Sequence, residues 1–267
     1  MTPEAFGFFS AFVIGVLLSL LGGGGSILTV PLLVYVFHLP PSLATAYSLL
    51  IVGISSLVGS LTYLAKDLAS PKTALFFSFP SFAMVFAMRK YIMPAIPLEV
   101  KIYQNWYIQK ELLIMTVFSL LMLSASMSMI KSSKKLTENI SAITKRINYP
   151  IIFFEGLVVG ALTGFVGVGG GFLIIPVLTL FVNLPMKMAV GTSLMIIAIN
   201  SCFGFLGDIG THTIDWAFVG VMICISVSGV LVGSYLSKYV QNKHLKPAFG
   251  WLTLAMGCGI LLKEYFL

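Results

Sequence analysis

Gly167-Val168-Gly169-Gly170-Gly171-Phe172-Leu173-Ile174-Ile175-Pro176 sets a run of glycines inside a segment otherwise apolar enough to enter a bilayer. Gly22-Gly23-Gly24-Gly25-Ser26-Ile27-Leu28-Thr29-Val30-Pro31 repeats it, at an offset of about 145 residues. The match runs without a gap from Gly15/Gly160 to Leu61/Leu206, with roughly 18 of 47 positions identical. Among these are Pro31/Pro176, Leu39-Pro40/Leu184-Pro185, Ala44/Ala189, Ser48-Leu49/Ser193-Leu194, Ser56/Ser201 and Gly59/Gly204. Unrelated apolar stretches share leucines by composition, but they do not hold glycines, prolines and serines in register. The chain therefore reads as two copies of one membrane unit, the pattern of a transporter repeat.

Composition supports this reading. Hydrophobic residues make up 58% of the chain and charged residues 9%, against about 25% charged in a soluble domain. The net charge of +7 is spread over loops beside apolar stretches, so it reads as an orientation signal and not as a nucleic-acid surface. The longest polar interruption, Lys131 to Asn148, is too short for a core of its own. The expected division is a first membrane repeat at 1–130, a cytoplasmic linker at 131–149 and a second membrane repeat at 150–267. The N-terminus lacks the basic flank of a secretory signal, so the first segment is expected to be retained. Cys202, Cys224 and Cys258 sit in apolar segments without metal-ligand spacing and read as packing residues.

Stretches near membrane-spanning length fall at Glu4–Leu21, Leu43–Leu64, Thr73–Met88, Leu112–Ile130, Pro150–Val166, Lys187–Leu206, Trp216–Leu236 and Pro247–Leu262. Ile27–Phe37 and Phe172–Val182 are shorter, about 17 Å as helix, and cover only part of a hydrocarbon layer about 30 Å thick. The expected fold is an all-α polytopic membrane protein with five elements per half and glycine-broken helical hairpins. Five elements place the start of the second half on the opposite side from the first, making the repeat inverted. With the central lysines in the cytoplasm, Lys66, Lys72, Lys187, Lys238, Lys243 and Lys246 share that side, and both termini face outward. Arg89, Lys90, Lys101 and Lys110 fall on the other side, in a segment with Pro94, Pro97, Trp106 and Tyr107 that reads as interfacial. Gly156, Gly160 and Gly164 form a small-residue stripe matched by Ala11, Gly15 and Ser19. Gly229 and Gly233 form another, which serves either internal packing or a homodimer.

Loosened backbone at membrane depth is tolerated only where protein buries it or a wet cavity meets it. The breaks are therefore the candidate site: Gly24, Gly25 and Ser26 in one half, Gly169, Gly170 and Gly171 in the other. Each leads into a short helix whose free N–H groups and positive dipole end suit an anion. Ser48, Thr192, Ser193 and Asn200 supply uncharged hydrogen-bonding groups in matching places of the two halves. Glu155 is the candidate for proton coupling, although its position near the start of a span also lets it snorkel to water. The spans hold no His/Asp/Ser set, HExxH or carboxylate cluster, so no catalytic residue, metal or cofactor is expected and an enzyme reading has no support.

Gly164-Phe165-Val166-Gly167-Val168-Gly169-Gly170-Gly171-Phe172-Leu173-Ile174-Ile175-Pro176, followed by Ala189-Val190-Gly191-Thr192-Ser193-Leu194, resembles the TauE/SafE family, the sulfite exporters. The likeness covers nearly the whole chain. The first copy departs from the pattern, with Ala46-Tyr47-Ser48 in place of Gly191-Thr192-Ser193 and Ser26 in place of Gly171. The resemblance implies outward transport of sulfite, organosulfonates or related sulfur oxyanions across the plasma membrane. The residues by themselves support an anion carrier. An anion channel and a non-transporting membrane partner or assembly factor stand as alternatives.

Overall fold

The structure is a computed structural model that describes residues 3–103, 106–135, 149–180, 182, 184–210, 213–239 and 242–266. Most of the expected linker therefore lies outside the described residues. The helices are α1 Pro3–Leu21, α2 Thr29–Tyr35, α3 Pro41–Leu64, α4 Pro71–Ala87, α5 Met93–Ala95, α6 Lys110–Lys135, α7 Tyr149–Val166, α8 Gly171–Leu180, α9 Met186–Asp208, α10 Trp216–Leu236 and α11 Asn242–Phe266. Each expected apolar stretch is a helix. The first short stretch differs in detail, because Gly24–Leu28 winds as a 3-10 turn ahead of α2. The interfacial segment also has structure of its own: a π-turn at Met88–Ile92, then α5, then an antiparallel hairpin of β1 Glu99–Tyr103 and β2 Trp106–Gln109.

Local chemistry sets the helix starts. Pro40 and Pro185 are both extended, with ψ 138° and 144°, and each carbonyl accepts the first helical hydrogen bond, from Ala44 and Ala189, at 2.8 Å. The Leu-Pro turns before them close alike, Leu39 N–H donating to the Leu33 carbonyl and Leu184 N–H to the Leu178 carbonyl. Asp215 caps α10, its carboxylate accepting from the N–H groups of Ala217 and Phe218.

Packing maps one half onto the other. α1 lies along α10, and its repeat counterpart α7 lies along α4; α3 pairs with its own counterpart α9, and α6 with α11. The apolar windows of α3 and α9 are 67% and 72% buried, against 33–39% for α4, α6 and α10, so α3 and α9 form the centre while the others face outward. Among the described residues, these five helices are long and apolar enough to cross a membrane. The chain is a multi-pass membrane protein.

The small-residue stripes close the outer pairs. A Cβ on Gly15 would sit 2.2 Å from the Ser226 carbonyl oxygen, one on Gly229 2.2 Å from that of Phe12, and one on Gly160 2.4 Å from that of Ser81. α1/α10 and α7/α4 thus touch backbone to backbone, which only glycine permits. Gly229 and Gly233 are both occupied in this internal contact. Gly229→Val should push α10 off α1 and lower stability in detergent by about 1–3 kcal/mol or more. Gly220, with nothing within 4 Å of a built Cβ, should accept alanine with a change of less than about 0.5 kcal/mol. Chemical unfolding of the two purified variants, followed by far-UV circular dichroism, checks the contrast.

Candidate functional site

At each glycine run the chain reverses direction. Gly22 and its counterpart Gly167 take left-handed backbone, φ 59° and 74°, a conformation costing other L-residues roughly 1–2 kcal/mol. The returning segment then lies against the helix it has left: a Cβ on Gly25 would strike the Leu18 nitrogen at 2.4 Å, and one on Gly170 the Thr163 Oγ1 at 2.1 Å. The two reversals meet each other. A Cβ on Gly171 would fall 2.5 Å from the Gly23 Cα, so no side chain fits at this junction.

Two serines tie the junction together. Ser26 Oγ lies 2.6 Å from the Gly23 carbonyl and 2.7 Å from that of Val168 in the other half. Ser193 Oγ lies 2.6 Å from the Gly22 carbonyl across the halves and 2.8 Å from that of Val190 on its own helix. Each hydroxyl carries a single proton, and its neighbours here are carbonyl oxygens, so both donors are directed inward to the backbone of the breaks. Gly24 and Gly25 are buried within the 3-10 turn, and Gly169 packs beside Ile197 and Ser201 Oγ.

The other expected residues divide. Thr192 Oγ1 accepts from the Ser70 N–H at 2.9 Å and so holds the α3–α4 connection. Asn200 donates through Nδ2 to Ser81 Oγ at 2.7 Å, while its Oδ1 is buried without a partner among the described residues. Ser48 is the repeat counterpart of Ser193, yet its Oγ is buried with no partner among the described residues, as are the hydroxyls of Ser56 and Ser201. Such orphaned polar atoms are rare in protein interiors; those of Ser48, Ser56, Asn200 and Ser201 lie on α3 and α9, the central pair, while Ser19, Thr29, Ser78 and Thr163 hold others on α1, α2, α4 and α7. Glu155, on α7, has a buried Oε2 without a partner and borders an open apolar groove of about 620 Å³ with Phe154, Val158 and Leu173.

Sequence reading missed an ion pair. Arg89, expected in the interfacial segment on the outer side, and Asp208 are both buried, in the π-turn and in the last turn of α9. Arg89 Nη1 donates to Asp208 Oδ2 at 2.9 Å and to Thr45 Oγ1 at 3.1 Å. A Cβ on Gly167 would lie 2.4 Å from Nη2, so the guanidinium occupies the space this glycine leaves. In the sequence Arg89 stands beside Lys90 between two apolar runs, a basic pair of the kind that ordinarily marks an interface and that gives no signal of an inward partner.

Two cavities flank the junction. One, of about 360 Å³, is lined by Ser42, Arg89, Met93, Lys110, Glu111 and Asp208; the other, of about 50 Å³, by Tyr63, Lys66, Lys187, Ser237 and Lys238. Ser42 and Tyr63 are about 31 Å apart along α3 at 1.5 Å per residue, so the cavities sit at opposite ends of the central helices. Ser42/Lys187 and Tyr63/Asp208 are also repeat counterparts, so the two cavities take equivalent positions in the two halves. No group of three His, Cys, Asp or Glu able to hold a metal occurs among the described residues.

A family model described as "Sulfite exporter TauE/SafE" matches residues 7–260. A "Probable membrane transporter protein" of Xylella fastidiosa (strain 9a5c) is 25% identical, over 96% of this chain and 94% of its own. The "Probable membrane transporter protein YunE" of Bacillus subtilis (strain 168) is 23% identical over 95% and 96%. No solved structure matches. With doubled broken helices meeting between two end cavities, and a family match over nearly all of its length, this chain belongs to the TauE/SafE family of membrane transporters.

Proposed function

We propose that this transporter is a secondary carrier that exports sulfite, organosulfonates or related sulfur oxyanions across the plasma membrane. Its halves, 1–130 and 150–267, are joined by a cytoplasmic linker and related by a pseudo-twofold axis in the membrane plane. The observation that carries the reading is that three of the buried hydroxyls without a partner among the described residues, Ser48, Ser56 and Ser201, lie on the two helices beside the junction. A neutral hydroxyl donor binds a weakly basic oxyanion firmly enough to capture it and loosely enough to release it. Asn200 contributes the second proton of its amide, and the glycines of both breaks keep side chains out of the way. Ser26 and Ser193 act indirectly, by holding the breaks together. The lysine-lined cavity is the cytoplasmic mouth, where Lys66, Lys187 and Lys238 draw anions in.

The sidedness test uses repeat counterparts. Lys72 and Ala217 are exposed residues in the first turns of α4 and α10. In a background lacking native cysteines, Lys72→Cys should react with an impermeant maleimide from the cytoplasm only, and Ala217→Cys from outside only. Labelling of both from one side would make the repeat parallel and end this arrangement.

The transport test is flux from proteoliposomes against sulfite, methanesulfonate, sulfate and chloride. Saturable flux of sulfite or the sulfonate is expected. A non-saturating conductance would mark a channel, and an absence of flux from folded protein would mark a non-transporting partner. Because the Ser48 hydroxyl has no partner among the described residues, Ser48→Ala should weaken flux while shifting stability by less than about 0.5 kcal/mol. Ser193→Ala should instead destabilise by about 0.5–1.5 kcal/mol, because it orphans the Gly22 carbonyl.

Coupling follows from charge. An inside-negative potential supplies about 2.3 kcal/mol per elementary charge for each 100 mV, enough to drive a monoanion outward without a buried carboxylate. Glu155→Gln should therefore leave flux responsive to potential and indifferent to a pH gradient. Flux that ignores potential, follows the proton gradient and loses that response in Glu155→Gln would assign Glu155 a proton-coupling role instead.

A further inference from the structure

We infer that Arg89 is an oxyanion-docking residue at the mouth formed by the ends of α3 and α9 opposite the lysine cavity, where it takes two oxygens of a sulfite, sulfonate or carboxylate group on one edge of its guanidinium. Arg89 is 2% exposed. Of its three nitrogens, Nη1 is used, by Asp208 and Thr45, while Nε and Nη2 have no partner among the described residues. Nε–H and one Nη2–H lie on the same edge of the planar group and point the same way, the geometry that a two-oxygen acceptor matches. Charged donors are seldom buried unsatisfied, because losing water without a replacement is expensive. The pairing with Asp208 uses Nη1 alone and leaves the Nε/Nη2 edge buried beside Gly167 without a partner among the described residues.

The residue also borders a cavity and a glycine break. Arg89 lines the cavity of about 360 Å³, within the size range of small-molecule sites, about 300–1,000 Å³. Its Nη2 abuts Gly167, the first residue of the second glycine break. Lys110, whose Nζ donates to the Met93 carbonyl, adds a second cation to the lining. Asp208 and Glu111 line the same cavity, so the site is not simply basic. Asp208 competes with an arriving anion for the same guanidinium. An ion that binds the open edge therefore weakens the Arg89–Asp208 tie between the π-turn and α9, which makes this a releasable contact at the mouth.

This inference rests on the anion-carrier reading for its place in transport, but its binding step is measured without transport. Sodium sulfite and sodium methanesulfonate are titrated into purified protein in detergent by isothermal calorimetry, with sodium chloride as the control. Arg89→Lys keeps the charge and removes the two-donor edge, so it should weaken sulfite binding by about tenfold or more. Asp208→Asn removes the competitor and should tighten it, a gain that a merely structural pair would not give. Should either single variant fail to fold, Arg89→Gln with Asp208→Asn removes both charges together and should lose sulfite binding while keeping its melting temperature. Sulfite affinity unchanged in folded Arg89→Lys, or in the folded double variant, overturns the site. Protein that binds sulfite through Arg89 yet moves no anion in vesicles keeps this site and loses the carrier reading. Saturable flux with unaltered binding in Arg89→Lys does the reverse.

Discussion

A backbone amide without a partner is ruinous in hydrocarbon, and the two glycine runs break helices where no solvent can repair them. The fold answers by setting the breaks against each other. Ser26 reaches the Val168 carbonyl of the opposite half, Ser193 reaches that of Gly22, and Gly23 meets Gly171 with no side chain between them. Each half satisfies part of its own break, as Gly23 N–H does on the Leu18 carbonyl and Gly167 N–H on that of Thr163, and takes a further bond from a serine of the other half, so the duplication has a structural use as well as a sequence pattern. The rest of the architecture serves this contact. α3 and α9 enclose it, and the outer pairs α1/α10 and α4/α7 close around it through glycines that let backbones touch.

The junction is not symmetric, and its asymmetry is chemical. Ser193 bonds the carbonyl of Gly22, but its counterpart Ser48 is left without a partner, and beside Gly167 stand Thr45 and the Arg89 guanidinium. Both breaks take a neutral hydroxyl bond from the other half, and the second also borders an ion pair. A buried ion pair adds little stability by itself, since desolvation offsets most of its attraction, but removing one partner costs about 3–5 kcal/mol. Such a pair is more informative as a device than as a prop.

The parts of this molecule that were legible in the sequence are those set by local composition and by the repeat. Hydropathy located α1, α3, α4, α6, α7, α9, α10 and α11 to within a few residues, because a span must be apolar along its whole length. The in-register Leu-Pro pairs gave the openings of α3 and α9, since proline cannot continue a helix but can begin one. The juxtaposition of Arg89 with Asp208 was not legible: the partners are 119 positions apart, and each sits at a span end where a charge is ordinarily an interfacial anchor. The π-turn that carries Arg89 has no composition signal, and neither does its effect of aiming a cation inward. Hydroxyl types could be read as candidates. Which of them spend their proton on backbone, as Ser26 and Ser193 do, and which keep it, as Ser48 does, depends on tertiary contacts that one chain's pattern does not encode.

The hairpin has a consequence of another kind. Residues 96–109, including β1 and β2, link α5 to α6 in the first half, whereas residues 237–241 link α10 to α11 in the second. Leu98 on this longer connection helps to line the larger of two otherwise equivalent cavities. In the inverted arrangement proposed above, two identical halves would give conformers open to one face or the other equal free energies, since exchanging the halves would interconvert them. An element present in only one half removes that degeneracy. About 1.4 kcal/mol of imbalance is a tenfold preference in a two-state population, so a short connection far from the glycine junction is enough to give a duplicated protein a resting orientation.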